Sequence, residues 1–287
     1  AKANLLCDEL GLDTISTGGV IGFAMECYEK GIITKDDTEF ELRFGDEHAL
    51  IWAIEKIAKR EGIGDTLAEG VKQVSERLGS GAEKFAMHVK GLEMPGYDPR
   101  GAFGMGLAYA VSERGACHLR AYTISDEVFG TMDRFSIEGK AELVRVREQR
   151  TGIINSLVIC DMMGLRPIYS SILKYVTGYN VKVIMSKEYP RLIEDFELCH
   201  NGAKSRIGET STNIARAFNV REGFSRKDDR LPSRILEEPL PEGHSAGRRL
   251  KVEDLDRMLE EYYSLRGWDN EGRPTMSKLK ELGIEST

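Results

Sequence analysis

The sequence has few of the features that would place it in a specialised class. Its five cysteines are scattered and include no C-x-x-C pair, which excludes a disulfide framework and a self-contained zinc site and favours a reducing, cytoplasmic compartment. No apolar run approaches the roughly 20 residues of a membrane-spanning helix, and the first residues lack a signal-peptide pattern. With 47 acidic against 40 basic residues, the chain has no basic excess to attract nucleic acid. We therefore expect neither a membrane nor a nucleic acid as partner.

What the chain does have is helical periodicity. Its 287 residues are 41% hydrophobic and 30% charged, as in ordinary folded chains with a sizeable core. Asp46 is the expected N-cap of a helix that carries Leu50, Ile54 and Ile57 on one face and ends at Gly62. Further helices are predicted at residues 20–28, 65–78 (capped by Asp65), 138–151, 255–265 and 278–282. Strand-like pieces such as 85–89 are brief, so the pattern predicts a mainly α protein.

Two stretches interrupt this periodicity. Residues 90–120 contain six glycines and two prolines, too many for long uninterrupted helices. Residues 228–249 contain three prolines and many charges and predict an extended connection over the surface, while the mixed charges of 225–230 predict a solvated loop. A boundary near residue 90 gives two predicted helical domains, 1–90 and 91–287.

One short pattern occurs twice, as Cys7-Asp8-Glu9-Leu10-Gly11-Leu12 and as Cys160-Asp161-Met162-Met163-Gly164-Leu165. It is compatible with two helix ends, at which each glycine adopts the left-handed conformation. It is also compatible with ligand binding, because a carboxylate three residues before such a glycine can accept two N–H bonds from a guanidine-like ring edge. Both interpretations remain open from the residues alone.

The two D-x-x-G-L patterns resemble the pterin-binding motifs of the tungsten-containing aldehyde ferredoxin oxidoreductase family. Four blocks in the same order are similar to that family: 7–18, 96–122, 218–243 and 259–274. The resemblance implies the two helical C-terminal domains of such an enzyme. The family's N-terminal β-rich domain and its C-x-x-C-x-x-x-C run have no counterpart in the sequence, so the chain resembles a portion of a longer enzyme. The chain alone is expected to be inactive and to hold neither cofactor.

The resemblance also implies the chemistry. The family oxidises an aldehyde with water to the carboxylic acid and passes electrons through a [4Fe–4S] cluster to ferredoxin. Its metal is tungsten, held by two molybdopterins. The residues around such a cofactor do not distinguish tungsten from molybdenum. The cofactor-binding positions that match are Asp8, Gly11, Leu12 and Asp13 in the first motif and Asp161, Gly164 and Leu165 in the second. Family members often form homodimers.

His118, in the block Gly115-Ala116-Cys117-His118-Leu119-Arg120, matches the family histidine that faces the metal and the substrate carbonyl. An imidazole at this position could donate to a developing oxyanion or move a proton. Tyr97 and Arg120 are weaker candidates in the same region.

One position departs from the family pattern. The second motif usually ends in a cysteine that is the fourth cluster ligand, but this chain has Arg166, which offers no lone pair to iron. Cys160 could substitute as a ligand, the cluster could be bound differently, or it could be absent. The alternative function is therefore a non-catalytic helical binding or scaffold protein that has lost the redox cofactors.

Overall fold

The computed structural model of the protein describes residues 1–156, 158 and 203–284. Within these ranges the chain is mostly helical and its strands are limited to one short antiparallel hairpin, which confirms the predicted mainly α class. The helices are α1 Lys2–Leu10, α2 Thr14–Glu29, α3 Glu47–Lys59, α4 Ile63–Leu67, α5 Val71–Leu78, α6 Phe103–Val111, α7 Ile124–Glu127, α8 Lys140–Ser156, α9 Ala203–Arg221, α10 Ser233–Glu237, α11 Val252–Arg266 and α12 Met276–Leu282. The strands are β1 His88–Val89 and β2 Leu92–Glu93. None of these helices combines the length and the apolar character needed to cross a bilayer.

The chain divides into two compact units that are interleaved along the sequence. The first unit comprises residues 1–101, 109–118 and 228–252, and the second comprises the described residues of 102–108, 119–227 and 253–287. The boundary predicted near residue 90 falls inside the first unit, because 109–118 and 228–252 return to pack with 1–101. The assignment of one pterin motif to each domain stays a prediction.

The core of the first unit is formed by the buried faces of α2, α3 and α5. As predicted, Asp46 caps α3, and its carboxylate accepts the backbone N–H groups of His48 at 2.9 Å and Ala49 at 3.1 Å. Helix α3 ends at Arg60, which is left-handed, rather than at Gly62. Asp65 is not a cap: it lies inside α4, and the predicted helix 65–78 is divided at Gly70, whose φ of 84° breaks the helical backbone.

The segment 228–252 differs most from its prediction. It contains α10, whose Ile235 and Leu236 are buried, so it is not an extended surface connection. The prediction of a solvated loop at 225–230 is wrong at Asp229, which is completely buried and pairs with Lys90. A carboxylate enters a protein interior only with a partner for its charge, and local sequence does not reveal a partner so distant in the chain.

The second unit is built on α8 and α9, which pack closely along each other. A Cβ at Gly208 of α9 would lie 2.5 Å from the backbone of Gln149 on α8, so only glycine permits this approach. Helix α11 and the turn that follows it contribute buried Leu255, Tyr262 and Trp268. Trp268 is thus a core residue.

Candidate functional site

The first copy of the repeated pattern is a helix end. Gly11 has a φ of 69° and terminates α1, and its N–H donates to the carbonyl oxygen of Asp8 at 3.4 Å. The N–H of Leu12 donates to the carbonyl oxygen of Cys7 at 2.8 Å, and the Leu12 side chain packs against the core of the first unit. This pattern of bonds closes the helix in the way that a left-handed glycine permits. The helix-end interpretation is therefore confirmed for Gly11.

Asp13 begins the next helix. It is the N-cap of α2, and its Oδ2 accepts the backbone N–H of Ser16 at 2.7 Å. Such a cap satisfies one of the backbone donors that a helix start leaves without an intrahelical partner. The turn between α1 and α2 is thus fixed at both ends, by Gly11 and by Asp13.

Asp8 has a different environment. It lies in the last turn of α1, is exposed, and its carboxylate makes no hydrogen bond or ion pair with any residue that the structure describes. Among the described residues, neither carboxylate oxygen of Asp8 is occupied by a donor. This geometry is compatible with the ligand-binding interpretation of the motif, since charge-assisted N–H bonds to a carboxylate are among the stronger hydrogen bonds.

His118 also belongs to the first unit, at the end of the stretch 109–118. Its imidazole is partly buried and contacts the ring of Tyr97, with the centroids 5.5 Å apart and the planes tilted by 42°. The hydroxyl of Tyr109, which is fully buried, donates to the carbonyl oxygen of Tyr97 at 3.2 Å. Buried Tyr109 therefore supports the residue against which His118 packs.

A tight turn precedes His118. Gly115 has a φ of 101°, and its backbone packs so closely on the carbonyl oxygen of Val89 that a Cβ would lie 2.2 Å from it. The N–H of Cys117 donates to the carbonyl oxygen of Gly115 at 2.6 Å, and the Cys117 sulfur accepts from Arg114 at 3.8 Å. A side chain at position 115 would force the turn away from the β1–β2 hairpin.

The second copy of the pattern cannot be placed. Cys160, Asp161, Gly164, Leu165 and Arg166 all lie outside the described residues. Their predicted roles in pterin and cluster binding stay predictions.

The described cysteines do not form a cluster site. Within 1–156, 158 and 203–284, no three His, Cys, Asp or Glu side chains converge as metal ligands. Cys7, Cys27 and Cys117 are free thiols and are buried. Burial, together with the nearby charge of Glu26, raises the pKa of Cys27 to about 12, so the free thiol is protonated at neutral pH. The exposed Asp8 carboxylate can accept N–H groups of the kind that a pterin ring edge presents, whereas the three described cysteines are not brought together as metal ligands.

Sequence reasoning did not find the buried pair Lys90–Asp229 in the first unit. Lys90 lies at the turn of the β1–β2 hairpin with a φ of 53°, and Asp229 follows a run of mixed charges. Neither position carries a local pattern that distinguishes a buried charge from a surface one.

The chain matches known proteins over nearly its whole length. Residues 1–284 match the family model for aldehyde ferredoxin oxidoreductase, domains 2 and 3. The tungsten-containing aldehyde ferredoxin oxidoreductase of Pyrococcus furiosus is 41% identical, over 99% of this chain and 45% of its own length. A second protein of that organism, the WOR-like subunit of an aliphatic sulfonate oxidoreductase, is 32% identical over 97% of the chain and 41% of its own length.

A solved structure has the same fold. The active-site complex BamBC of benzoyl coenzyme A reductase, with bound 1,5-dienoyl-CoA, superposes with a TM-score of 0.66 at 21% identity. The match covers 95% of this chain and 44% of that chain. The helical architecture and the sequence match together identify the chain as the helical domains 2 and 3 of this family. The chain belongs to the aldehyde ferredoxin oxidoreductase family and spans less than half the length of the curated relatives that it matches.

Proposed function

We propose that the protein containing this chain oxidises aldehydes with water to carboxylic acids, at a tungsten or molybdenum centre held by two molybdopterins. A [4Fe–4S] cluster, when bound, would pass the electrons singly to ferredoxin. The observation that carries the proposal is the family match over residues 1–284, supported by the open carboxylate at the first motif. The bound cofactor supplies the redox chemistry, and the chain supplies binding, orientation and proton handling.

The first motif holds one pterin. Asp8 accepts N–H groups from the ring edge, while Gly11 and Leu12 hold the helix end that presents it and Asp13 fixes the start of α2. In the second motif, Asp161, Gly164 and Leu165 have the corresponding roles by family match. Cys160 is the proposed cluster ligand, because Arg166 cannot bind iron.

His118 handles the proton. Its imidazole would either donate a hydrogen bond to the carbonyl oxygen of the aldehyde or move a proton as water becomes the product hydroxyl. The imidazole packs against the ring of Tyr97, with the centroids 5.5 Å apart. Tyr97 is a neighbour that helps to position the His118 imidazole, and Arg120 is assigned no step.

The test is a His118→Ala substitution in the whole protein that contains this chain. We expect tungsten content near wild type and turnover lower by a factor on the order of 10² to 10⁴, the range for loss of an acid–base group. His48→Ala is the matched control, because His48 is exposed at the start of α3 and its removal should change neither quantity.

Two outcomes would contradict the proposal. A fully metallated His118→Ala enzyme with normal turnover would remove His118 from the mechanism. Whole wild-type protein that contains neither tungsten nor iron would favour the scaffold function instead.

A further inference from the structure

We propose that Lys90 and Asp229 are positioning residues that hold the turn carrying His118 in place, an inference that rests on the proposed role of His118. The pair is internal to the first unit, and Lys90 Nζ lies 2.7 Å from Asp229 Oδ1. The two side chains are 2% and 0% exposed. A pair this completely removed from water is costly to form, so its contacts need a reason beyond the attraction between the two charges.

The first contact of interest is between the ammonium group and a helix end. Lys90 Nζ also donates to the carbonyl oxygen of Ala110, in the last turn of α6. The last carbonyls of a helix have no intrahelical donor, and a buried one must find a partner elsewhere. Lys90 therefore fixes the end of α6 at the point where the chain leaves the helix toward His118.

The second contact comes from the residue before Lys90. The carbonyl oxygen of Val89 packs directly on Gly115, at the distance where any Cβ would collide. Val89 and Lys90 thus hold Ala110 and Gly115, one on each side of residues 111–114. His118 follows Gly115 by three residues, and a short hydrogen bond from Cys117 to Gly115 stiffens the connection.

The backbone of Lys90 is unusual for a lysine. Its φ of 53° is in the left-handed region, which residues other than glycine seldom adopt. This conformation places the carbonyl of Val89 and the side chain of Lys90 on the same turn of the hairpin. Conformations of this kind persist only where surrounding contacts over-determine them.

Asp229 supplies the charge that keeps the lysine in place. It belongs to segment 228–252, whose other anchors to the first unit include the bidentate pair of Arg234 with Glu26 on α2. Without Asp229, the ammonium group would be a buried charge with less compensation and would be driven toward water. The two residues therefore act together. Asp229 keeps the Lys90 side chain buried, and Lys90 holds the turn that leads to His118.

The experiment uses the double variant Lys90→Met/Asp229→Leu in the whole protein. Removing both charges together leaves neither ion unpaired in the interior, but methionine cannot donate to the Ala110 carbonyl. The first readout is the rate at which diethylpyrocarbonate modifies His118, measured by peptide mass spectrometry with exposed His48 as internal reference. The others are tungsten content, kcat and KM.

We expect modification of His118 to become several-fold faster relative to His48. We also expect kcat to fall about ten- to a hundredfold, as for a catalytic group displaced by about an ångström, with tungsten content near wild type. A purely structural pair would change stability without changing the reactivity ratio of the two histidines.

The matched control is Glu26→Gln/Arg234→Met. It removes an ion pair that anchors the same segment to α2 but that does not contact Ala110 or the hairpin turn. The control should leave the reactivity of His118 relative to His48 at its wild-type value.

If the double variant does not fold, Asp229→Asn is the second variant, because it keeps the shape and an acceptor while removing the charge. Its rate of His118 modification should lie between the wild-type rate and the faster rate expected for the double variant. Wild-type reactivity in whichever variant folds would overturn the positioning role. Raised reactivity at unchanged kcat would keep the positioning role and contradict the proposed catalytic role of His118 instead.

Discussion

The blocks at residues 7–18 and 259–274 both match the family, but each contains a charged side chain in a very different environment. Asp8 in the first block is exposed, whereas Arg266 in the second is fully buried. In the first block, Asp8 is exposed and has no partner among the residues that the structure describes. Its neighbours Gly11 and Asp13 make local bonds that shape the turn and leave the Asp8 carboxylate open.

In the second block, Tyr262, Arg266 and Trp268 are buried and their polar groups have partners. The guanidinium of Arg266 is fully buried and contacts Glu148, Glu209 at 2.7 Å and the Tyr262 hydroxyl at 3.0 Å. Burial alone would lower the pKa of Arg266, but its hydrogen bond to Tyr262 and the charges of Glu148 and Glu209 raise it overall, so the guanidinium stays charged. Burial raises the pKa of Tyr262 well above its usual value, which keeps its hydroxyl protonated as a donor to Glu148.

The aromatic residue of that block is held in the same way. The indole N–H of Trp268 donates to Asn213 Oδ1 at 2.8 Å, and the guanidinium of Arg216 lies 4.9 Å from the indole ring centre. Family resemblance therefore marks two kinds of residue. Buried residues with internal hydrogen-bond partners, such as Arg266, stabilise the fold. An exposed carboxylate without a described partner, such as Asp8, can bind a ligand.

The largest expected effect comes from removing the buried guanidinium of Arg266. Arg266→Met leaves the carboxylates of Glu148 and Glu209 buried without their common partner, and we expect the free energy of unfolding to fall by about 3–5 kcal/mol. Urea denaturation of the purified protein measures this change. Arg221→Met is the control, since Arg221 makes an exposed pair with Glu222 at 3.5 Å and should contribute less than about 1 kcal/mol.

An Arg266→Met variant as stable as the control would show that the network is not holding the second unit together. It would also remove the contrast between the two blocks, because the occupied block would then be free to serve another role.

The next largest effect is expected from removing the exposed carboxylate of Asp8. Asp8→Ala removes charge-assisted bonds to the pterin of about 1.5–3 kcal/mol, so tungsten content of the whole protein should fall. The free energy of unfolding of the metal-free protein should stay unchanged, because Asp8 makes no contact with a described side chain. Metal analysis and urea denaturation give the two values. Glu9→Ala, at the adjacent exposed carboxylate, should change neither.

Unchanged tungsten in Asp8→Ala would contradict the pterin role. Loss of stability in that variant would contradict the distinction drawn between the two blocks.

Local patterns in the sequence predict much of the fold. The stripe of α3 and its cap at Asp46 are confirmed, and so are the helices at 20–28 and 255–265, which the structure extends at both ends. These features depend on residues a few positions apart, so the sequence contains their cause. The split at Gly70 was missed because a glycine inside an amphipathic pattern is compatible with a continuous helix.

Long-range pairs could not be predicted. The left-handed Gly11 follows from its position after a helix, but the partner of Asp229 depends on how distant segments pack. The same holds for Arg266, whose carboxylate partners lie on α8 and α9. Charged residues are mostly exposed, so the sequence alone predicts a surface position for them. A buried position becomes plausible only when the partner is known.

The smallest expected effect concerns Asp13, which lies in the open block but has an occupied carboxylate. Since its Oδ2 accepts the N–H of Ser16, we expect Asp13→Ala to lower the free energy of unfolding by about 1 kcal/mol, as for other lost N-caps. Asp13→Ser should retain both stability and tungsten content, because serine caps helices about as well as aspartate. Asp46→Ala is the control, because it removes the cap of α3 outside the motif and should lower stability alone. Asp13→Ser that is stable but depleted of tungsten would show that the Asp13 carboxylate itself contacts the pterin, and the open part of the block would then include both aspartates.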